Sequence, residues 1–165
     1  MNKISHDSET PALGQQVITA CAFIHQDFDG VQKVFLPKRA ATKKFLPNVF
    51  ELPGGHIDYG EDLVVGLQRE ISEEFGMATK IGDPFFAFTY TNDVKGSHSI
   101  EVCYFATFTE DLAHITLQPD DHSEFGWFAE NELHAATSSE KGLEDIEFVA
   151  IKKGFALLRG ERPEF

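Results

Sequence analysis

Apolar runs along the chain predict a series of β-strands. The run QQVITACAFIH, residues 15–25, is rich in β-branched and apolar residues, which is typical of a buried strand. A turn at DFDG, residues 27–30, leads into the alternating segment VQKVFLPKR, residues 31–39, so the two runs predict a β-hairpin. Further strands are predicted at residues 49–52, 85–92 and 99–108, and residues 124–133 predict a strand end followed by a short helix.

Two segments with helical periodicity complete the predicted fold. The first spans residues 61–75 and is followed by Gly76, a residue type that commonly ends helices. The second, residues 143–159, repeats apolar side chains at helical spacing. The order β-β-β-α-β-β-β-α predicts an α/β fold in which helices pack on the faces of a mixed β-sheet. We expect a single domain over residues 15–165, preceded by a flexible leader at residues 1–14.

Composition and charge narrow the classes of function. With 42% apolar and 25% charged residues, the chain has the composition of a globular protein. Its net charge of −13 disfavours binding to nucleic acid polymers, which are themselves polyanions. No apolar run approaches the length of a membrane span, and the two cysteines, Cys21 and Cys103, form no metal-binding motif. We therefore expect a cytoplasmic protein with buried, reduced thiols and no membrane partner.

The first predicted helix carries an acidic face beside an apolar one. Glu70, Glu73 and Glu74 are spaced i, i+3 and i+4, so their side chains share one face. Three neighbouring carboxylates repel one another, and a hard divalent cation such as Mg²⁺ or Mn²⁺ relieves that repulsion. Such ions polarise phosphoryl oxygens and activate water for hydrolysis. For this spacing taken alone, an acidic face exposed to solvent is the alternative interpretation.

The residues around this face resemble a complete Nudix box. The segment GHIDYGEDLVVGLQREISEEFGM, residues 55–77, has the glycine, the glutamate and the Arg-Glu-x-x-Glu-Glu-x-Gly residues of the box at the family's spacing, with apolar side chains at Ile71 and Met77. The resemblance implies a Nudix-like α/β/α sandwich. It also implies a hydrolase, dependent on Mg²⁺ or Mn²⁺, that cleaves a phosphoanhydride bond in a nucleoside diphosphate linked to a further group.

The resemblance assigns expected roles within the box. The three glutamates of the acidic face are the expected metal ligands, helped by the backbone carbonyl of Gly55. Arg69 is expected to pair with Glu61 and so to hold a carboxylate in position. The general base varies within the family, and Glu73 is the box residue to which we assign that role.

Many members of the family add a carboxylate ligand from a loop outside the box. Glu124 is the candidate here, and Asp120 and Asp121 lie just before it. A solvated loop is the alternative interpretation for each of the three. His122 in the same loop, and His56 after the double glycine, are interpreted as surface or packing residues rather than as catalysts.

The short domain favours a nucleoside triphosphate as the substrate. With Arg39 ahead of the box, the chain resembles family members that hydrolyse nucleoside triphosphates, including oxidised ones. Arg39 is therefore a predicted substrate-binding residue, although the basic stretch around it, residues 33–44, can also be read as a solvated strand and loop. Phe86 is predicted to stack on the base together with Phe85 and Phe88, with core packing as the alternative.

Two other functions stay open at this point. An ADP-ribose or nucleotide-sugar pyrophosphatase is the alternative among enzymes, and a non-catalytic Nudix-fold binding or regulatory module is the alternative from another class. The complete set of box residues argues against the module, because a pure binding protein has no need of a full metal site. The expected partners are a small nucleotide substrate and, as in many such families, a second copy of the chain in a homodimer.

Overall fold

The computed structural model describes residues 11–162, which form six strands and two α-helices. The order β-β-β-α-β-β-β-α predicted from the sequence is confirmed. The short helix predicted after the strand end within residues 124–133 is a 3-10 helix, and a second 3-10 helix, over residues 112–114, was not predicted. The elements are β1 (Gln16–Phe28), β2 (Val31–Arg39), β3 (Gly54–His56), α1 (Leu63–Phe75), β4 (Thr79–Asn92), β5 (Ser97–Phe108), the 3-10 helix Leu112–His114, β6 (His122–Phe128), the 3-10 helix Glu130–Ala136 and α2 (Ile146–Leu158).

The strands form one mixed sheet in the order β4-β5-β1-β2-β6, with β3 paired to β1 beside this path. The pair β1–β5 is parallel, whereas every other pair is antiparallel. Strand β1 pairs with β2 only from His25 to Phe28, and nearer its start it pairs with β3 instead. Because β2 leaves β1 early, the segment before residues 55–77 lies between these two strands.

Alternating side chains of β1 divide the interior into two cores, one on each face of the sheet. Cys21 and Phe23 pack with α2 through Phe148, Ile151 and Phe155. On the opposite face, the packing against α1 consists of Ala20, Ala22, Ile24, Phe35, Leu67, Ile71 and Phe75. Because each helix covers one face, the predicted α/β/α sandwich is confirmed.

Local capping explains where α1 begins and ends. The side chain of Asp62 accepts hydrogen bonds from the backbone N–H groups of Val64 and Val65, at 2.9 and 3.2 Å, so the helix begins after it. Gly76 ends the helix in the left-handed conformation, with a φ of 64°, as the sequence predicted. The acidic face of α1 is therefore fixed in register relative to the turn that precedes it.

The third predicted strand was placed wrongly. Residues 49–52 form only an isolated bridge, between Phe50 and Lys38, while the strand itself is Gly54–His56. The apolar residues of the segment VFEL favoured a strand at residues 49–52. The open edge of β1 lies next to the glycine turn instead, so the strand that pairs with β1 forms at Gly54–His56. Strand β4 also begins earlier than predicted, at Thr79, because register shifts around Pro84 let the strand continue through an unfavourable segment.

Residues 1–10 of the expected leader lie outside the described residues. The remaining part contacts the β4–β5 turn, where the N–H of Ala12 donates to the carbonyl of Lys95 at 2.8 Å. Within residues 11–162, no helix is long and apolar enough to cross a membrane. Cys21 and Cys103 are buried free thiols on neighbouring strands, as predicted, with their sulfur atoms 3.1 Å apart.

Candidate active site

A cavity of about 780 Å³ lies beside α1, at the point where β2 separates from β1. This volume is in the usual range for small-molecule sites. Nine carboxylates line it, against four lysine or arginine side chains. The acidic lining residues are Glu51, Asp58, Glu70, Glu73, Glu74, Glu101, Asp121, Asp145 and Glu147, and the basic ones are Arg39, Lys43, Arg69 and Lys141.

Arg69 connects the box helix to the turn in front of it. Its Nε and Nη2 atoms donate to the two carboxylate oxygens of Glu61, at 2.8 and 3.0 Å, and Nη2 also donates to the carbonyl of His56 at 3.1 Å. The hydrogen bond to Glu61 is the main cause that raises the pKa of Arg69, and a hydrogen bond to Glu70 raises it further against the opposing effect of burial. The guanidinium group therefore stays charged and fixes the turn on α1.

Glu70 and Gly55 are in close contact. A Cβ atom placed on Gly55 would lie 2.5 Å from Oε2 of Glu70, which is too close for any larger side chain unless the carboxylate moves. Burial raises the pKa of Glu70 to about 6, although the hydrogen bond from Arg69 opposes this shift. Glycine at this position therefore lets the backbone approach the carboxylate directly.

Glu74 is a buried carboxylate in an acidic environment. Its Oε2 atom is buried and has no hydrogen-bond partner among the residues that the structure describes. Burial raises its pKa well above the ordinary value, and the negative charges of Glu51, Glu70 and Asp121 raise it further. A buried acid without a cation is unfavourable, and a hard divalent ion with oxygen ligands would relieve both burial and repulsion. The donor set therefore fits Mg²⁺ or Mn²⁺.

The carboxylates are not arranged as a finished metal site. Among residues 11–162, no three acidic, histidine or cysteine side chains converge as metal ligands. Two of the glutamates are instead directed towards Arg69, because its Nη1 atom donates to Glu70 at 2.9 Å and to Glu73 at 3.3 Å. Glu73 is the most exposed of the helix glutamates, with 63% of its side chain accessible. It can therefore turn towards an ion with little loss of contacts.

Glu51 lies at the centre of a charged network behind these carboxylates. Arg39 donates to both of its oxygens at 3.3 Å, and Nε2 of His122 lies 3.0 Å from Oε1. Burial acts to raise the pKa of Glu51, but Arg39 and His122 outweigh it and lower the pKa to about 2. His122 is itself buried and stacks on Phe75, with ring centroids 5.1 Å apart. It thus anchors the cavity wall, in line with its predicted packing role.

The structure separates the three acidic residues of the 120–124 loop. Glu124 does not line the cavity; it points away on β6 and pairs with Lys38 at 3.3 Å, with 57% of its side chain exposed. The prediction of Glu124 as a metal ligand is therefore corrected. Asp120 is exposed and also lies outside the cavity, whereas Asp121 lines it and accepts a 2.7 Å hydrogen bond from Lys43.

Of the two predicted substrate-binding residues, Arg39 lines the cavity and Phe86 does not. Arg39 lines the cavity but is engaged with Glu51 and with the carbonyl of Phe45, at 2.9 Å. Phe86 does not reach the cavity, because it packs against the core under α2 with Lys153 over its ring. Phe88, two residues further along β4, does line the cavity. The predicted stacking role of Phe86 is therefore corrected.

Sequence reasoning missed several residues of the cavity wall. Tyr90 and Glu101 project into it from β4 and β5, and Glu147 and Lys141 close it beside α2. Glu147 accepts hydrogen bonds from the backbone N–H of Leu52 and from Lys141. A charged residue inside the apolar strand SIEVCYFATF was the available signal for Glu101, since charged residues are rarely buried without a purpose.

A mixed sheet between two helices, with a glutamate-rich helix beside an acidic cavity, is the architecture implied by the box. The family model of the NUDIX domain matches residues 16–148, which is most of the chain. The chain therefore belongs to the Nudix family, as residues 55–77 indicated.

Three similar proteins illustrate the relationship. The chain is 39% identical over 69 residues to the bovine m7GpppN-mRNA hydrolase NUDT17, covering 42% of this chain and 22% of that protein. It is 40% identical over 45 residues to an 8-oxo-dGTP diphosphatase of Buchnera aphidicola, covering 27% and 34% of the two chains. A MutT NUDIX hydrolase structure from Burkholderia pseudomallei aligns with 26% identity and a TM-score of 0.65, covering 84% and 98%.

The chain aligns with only part of the two curated relatives but with nearly all of the Burkholderia protein. The aligned part spans about a fifth to a third of the length of the two curated relatives, so their activities describe those longer proteins. The Burkholderia structure matches over nearly its whole length and carries the same fold. All three similar proteins are hydrolases, in agreement with the predicted reaction class.

Proposed function

We propose that this chain is a Mg²⁺- or Mn²⁺-dependent pyrophosphohydrolase that acts on a nucleoside polyphosphate, with a normal or oxidised nucleoside triphosphate as the preferred substrate. The observation that carries this proposal is the position of Glu74 beside Glu70, Glu73 and Gly55 in one cavity. Glu74 is a buried carboxylate whose Oε2 has no hydrogen-bond partner within residues 11–162. The similarity to an 8-oxo-dGTP diphosphatase supports the triphosphate class.

In this proposal some residues bind the metal ion and others hold those ligands in position. Glu70, Glu73 and Glu74 would hold the ion, with the carbonyl of Gly55 next to them. When bound, the ion supplies a Lewis acid that polarises the phosphoryl oxygens. Arg69 acts as a positioning residue, because it holds Glu61 and the turn at His56 in one place.

Glu73 is proposed to accept the proton of the attacking water. Its side chain lies at the cavity and is well exposed, so it can reach a water molecule beside a bound phosphate. The water oxygen forms a new bond to phosphorus as the bridging P–O bond breaks. A nucleoside phosphate leaves and takes up a proton, so the reaction needs no further reactant. The cationic side chain of Lys43 lies in the same cavity and offsets part of its negative charge.

The test is release of phosphate products from a nucleotide panel with Mg²⁺, with Mn²⁺ and with EDTA. The panel contains normal and oxidised nucleoside triphosphates, ADP-ribose, nucleotide sugars and dinucleoside polyphosphates. We expect turnover of triphosphates that EDTA abolishes, and a loss in kcat on the order of 100-fold or more in Glu73→Gln. Glu140→Gln, at an exposed position outside the cavity, is the matched control.

Each other outcome has a definite meaning for the proposal. Turnover confined to ADP-ribose or nucleotide sugars would replace the substrate class and keep the reaction. Full activity of Glu73→Gln with an intact fold would refute the assigned role. Metal binding without turnover of any nucleotide would support the non-catalytic module instead.

A further inference from the structure

The two cysteines of the chain meet inside the sheet. Cys21 and Cys103 are 82 positions apart in the sequence, yet they are direct register partners on the parallel strands β1 and β5. Their sulfur atoms lie 3.1 Å apart, and both thiols are free and buried. The proposed hydrolysis uses neither of them, so the two thiols form an oxidisable pair without an assigned role.

The geometry of the pair meets the requirements of a disulfide bond. Neighbouring strands of a sheet lie about 4.8 Å apart, and the Cα atoms of residues joined by a disulfide are usually about 4.4 to 6.8 Å apart. Cys21 and Cys103 satisfy this condition because they pair in register on adjacent strands. Bond formation brings the sulfur atoms from 3.1 Å to about 2.05 Å, a movement of roughly 1 Å that small side-chain rotations supply.

A short route leads from the cavity to the thiol pair. Thr19 and Glu101 line the cavity, and each lies two residues before a cysteine on the same strand. Side chains two residues apart share one face of a sheet and are separated by about 7 Å. The thiol of Cys21 is also within hydrogen-bond reach of the carboxyl group of Glu101. The sulfur atoms therefore lie directly behind the cavity wall, where a small oxidant has one side chain to pass.

Burial slows the oxidation of this pair, whereas proximity determines its product. The thiolate is the form of cysteine that reacts with oxidants, and burial raises the pKa of Cys21 well above its ordinary value. Once one sulfur has become a sulfenic acid, however, the second thiol is already beside it. A sulfenic acid condenses readily with a neighbouring thiol, so we expect a disulfide rather than the higher oxidation states.

We propose that Cys21 and Cys103 are an oxidation site at which a small peroxide forms an intrachain disulfide between β1 and β5. One sulfur attacks a peroxide oxygen as the O–O bond breaks, which gives a sulfenic acid and, from hydrogen peroxide, one molecule of water. The second sulfur then attacks the sulfenic sulfur. The S–S bond forms, and hydroxide leaves with the thiol proton as a second water. The two thiols lose two protons and two electrons, and the peroxide takes up both.

The cross-link encloses the whole Nudix box. The chain between the two cysteines contains β2, β3 and α1, and therefore residues 55–77. Cys21 also pairs with Gly54, and a Cβ atom on Gly54 would lie only 2.7 Å from the Cα of Cys21. A disulfide between distant positions restricts the unfolded chain and so stabilises the fold. Oxidation should therefore stabilise the sheet beside the glycine turn, whether or not the chain hydrolyses nucleotides.

Mass spectrometry and urea unfolding test the proposal on the whole chain. The reduced protein is incubated for hours with hydrogen peroxide under native conditions and is analysed without a reducing agent. We expect the monomer to lose the mass of two hydrogen atoms. Peptide mapping, which separates any methionine oxidation, should recover one pair of peptides joined through Cys21 and Cys103. The urea midpoint of unfolding should rise by roughly 1 M, and dithiothreitol should restore the original mass and midpoint.

Single substitutions provide the matched controls. Cys21→Ala and Cys103→Ala each leave one buried thiol without its partner, so peroxide should neither join peptides nor raise the urea midpoint. If neither variant folds, the wild-type measurements decide by themselves. Four results with the wild-type protein would each overturn the inference: thiols that stay free, added oxygen at the cysteines without a cross-link, disulfide-linked dimers, or a midpoint that does not rise after the cross-link has formed.

Discussion

Replacing Glu51 by glutamine should destabilise the protein in a pH-dependent way. The carboxylate contacts Arg39 and His122, and its pKa falls from the ordinary 4.5 to about 2. Each tenfold change in an acid dissociation constant corresponds to about 1.4 kcal/mol, so the charge contributes roughly 3 kcal/mol to the free energy of unfolding at pH 7. Only 23% of the side chain is exposed, so solvent screens this contribution weakly.

The sign of the pH dependence follows from the lowered pKa. The folded state holds the proton less tightly than the unfolded state, so the contribution is complete above about pH 4.5 and is lost as the pH falls towards 2. Urea unfolding of the wild-type protein and of Glu51→Gln at pH 7 and at pH 3 measures it. We expect the difference at pH 3 to be less than half of that at pH 7.

A surface glutamate provides the control for this experiment. Glu124 also pairs with a cation, Lys38, but 57% of its side chain is exposed, and such pairs contribute less than about 1 kcal/mol. Glu124→Gln should therefore change the unfolding free energy little at either pH. The reasoning is refuted if Glu51→Gln behaves like this control, or if its effect is the same at pH 7 and pH 3.

Two further predictions test the cap of α1 and the close contact between Gly55 and Glu70. Asp62→Ala removes the cap of α1 and should lower the free energy of unfolding by about 1 kcal/mol in urea titrations, whereas Asp62→Ser should lower it less. Gly55→Ala places a Cβ atom 2.5 Å from Oε2 of Glu70, so the carboxylate must move. We expect roughly tenfold weaker Mn²⁺ binding by calorimetry with little change in stability; unchanged Mn²⁺ affinity would show that this contact has no part in the metal site.

The fold could be predicted from the sequence wherever a local pattern determines an element. Strand β1 and helix α1 carry their periodicity in their own residues, and Gly76 ends the helix through its own conformational preference. Strand β3 could not be predicted in this way. Its three residues are Gly54, Gly55 and His56, which have little strand preference, and they pair because the neighbouring edge of β1 is open.

The same distinction applies to the candidate site. The helix glutamates share a face by spacing alone, so the sequence was sufficient to group them. Whether Asp121 or Glu124 reaches the cavity depends on how β6 is aligned with β2, which no local pattern specifies. Phe86 and Phe88 lie on the same face of β4, two residues apart in regular pairing with β5, so they differ only in how far along the strand the cavity extends, which no local pattern specifies either.

Two glutamates in the same cavity have opposite effects on folding, and the difference bears on function. Glu51 is surrounded by Arg39 and His122, so its charge is favourable and its role is to hold the wall together. Glu74 has Glu51, Glu70 and Asp121 as neighbours, and its buried Oε2 lacks a hydrogen-bond partner in the described structure. Its charge therefore opposes folding, while a hydrophobic residue there would not. An acid that makes the folded protein less stable needs another reason to be present, and binding a divalent cation provides one.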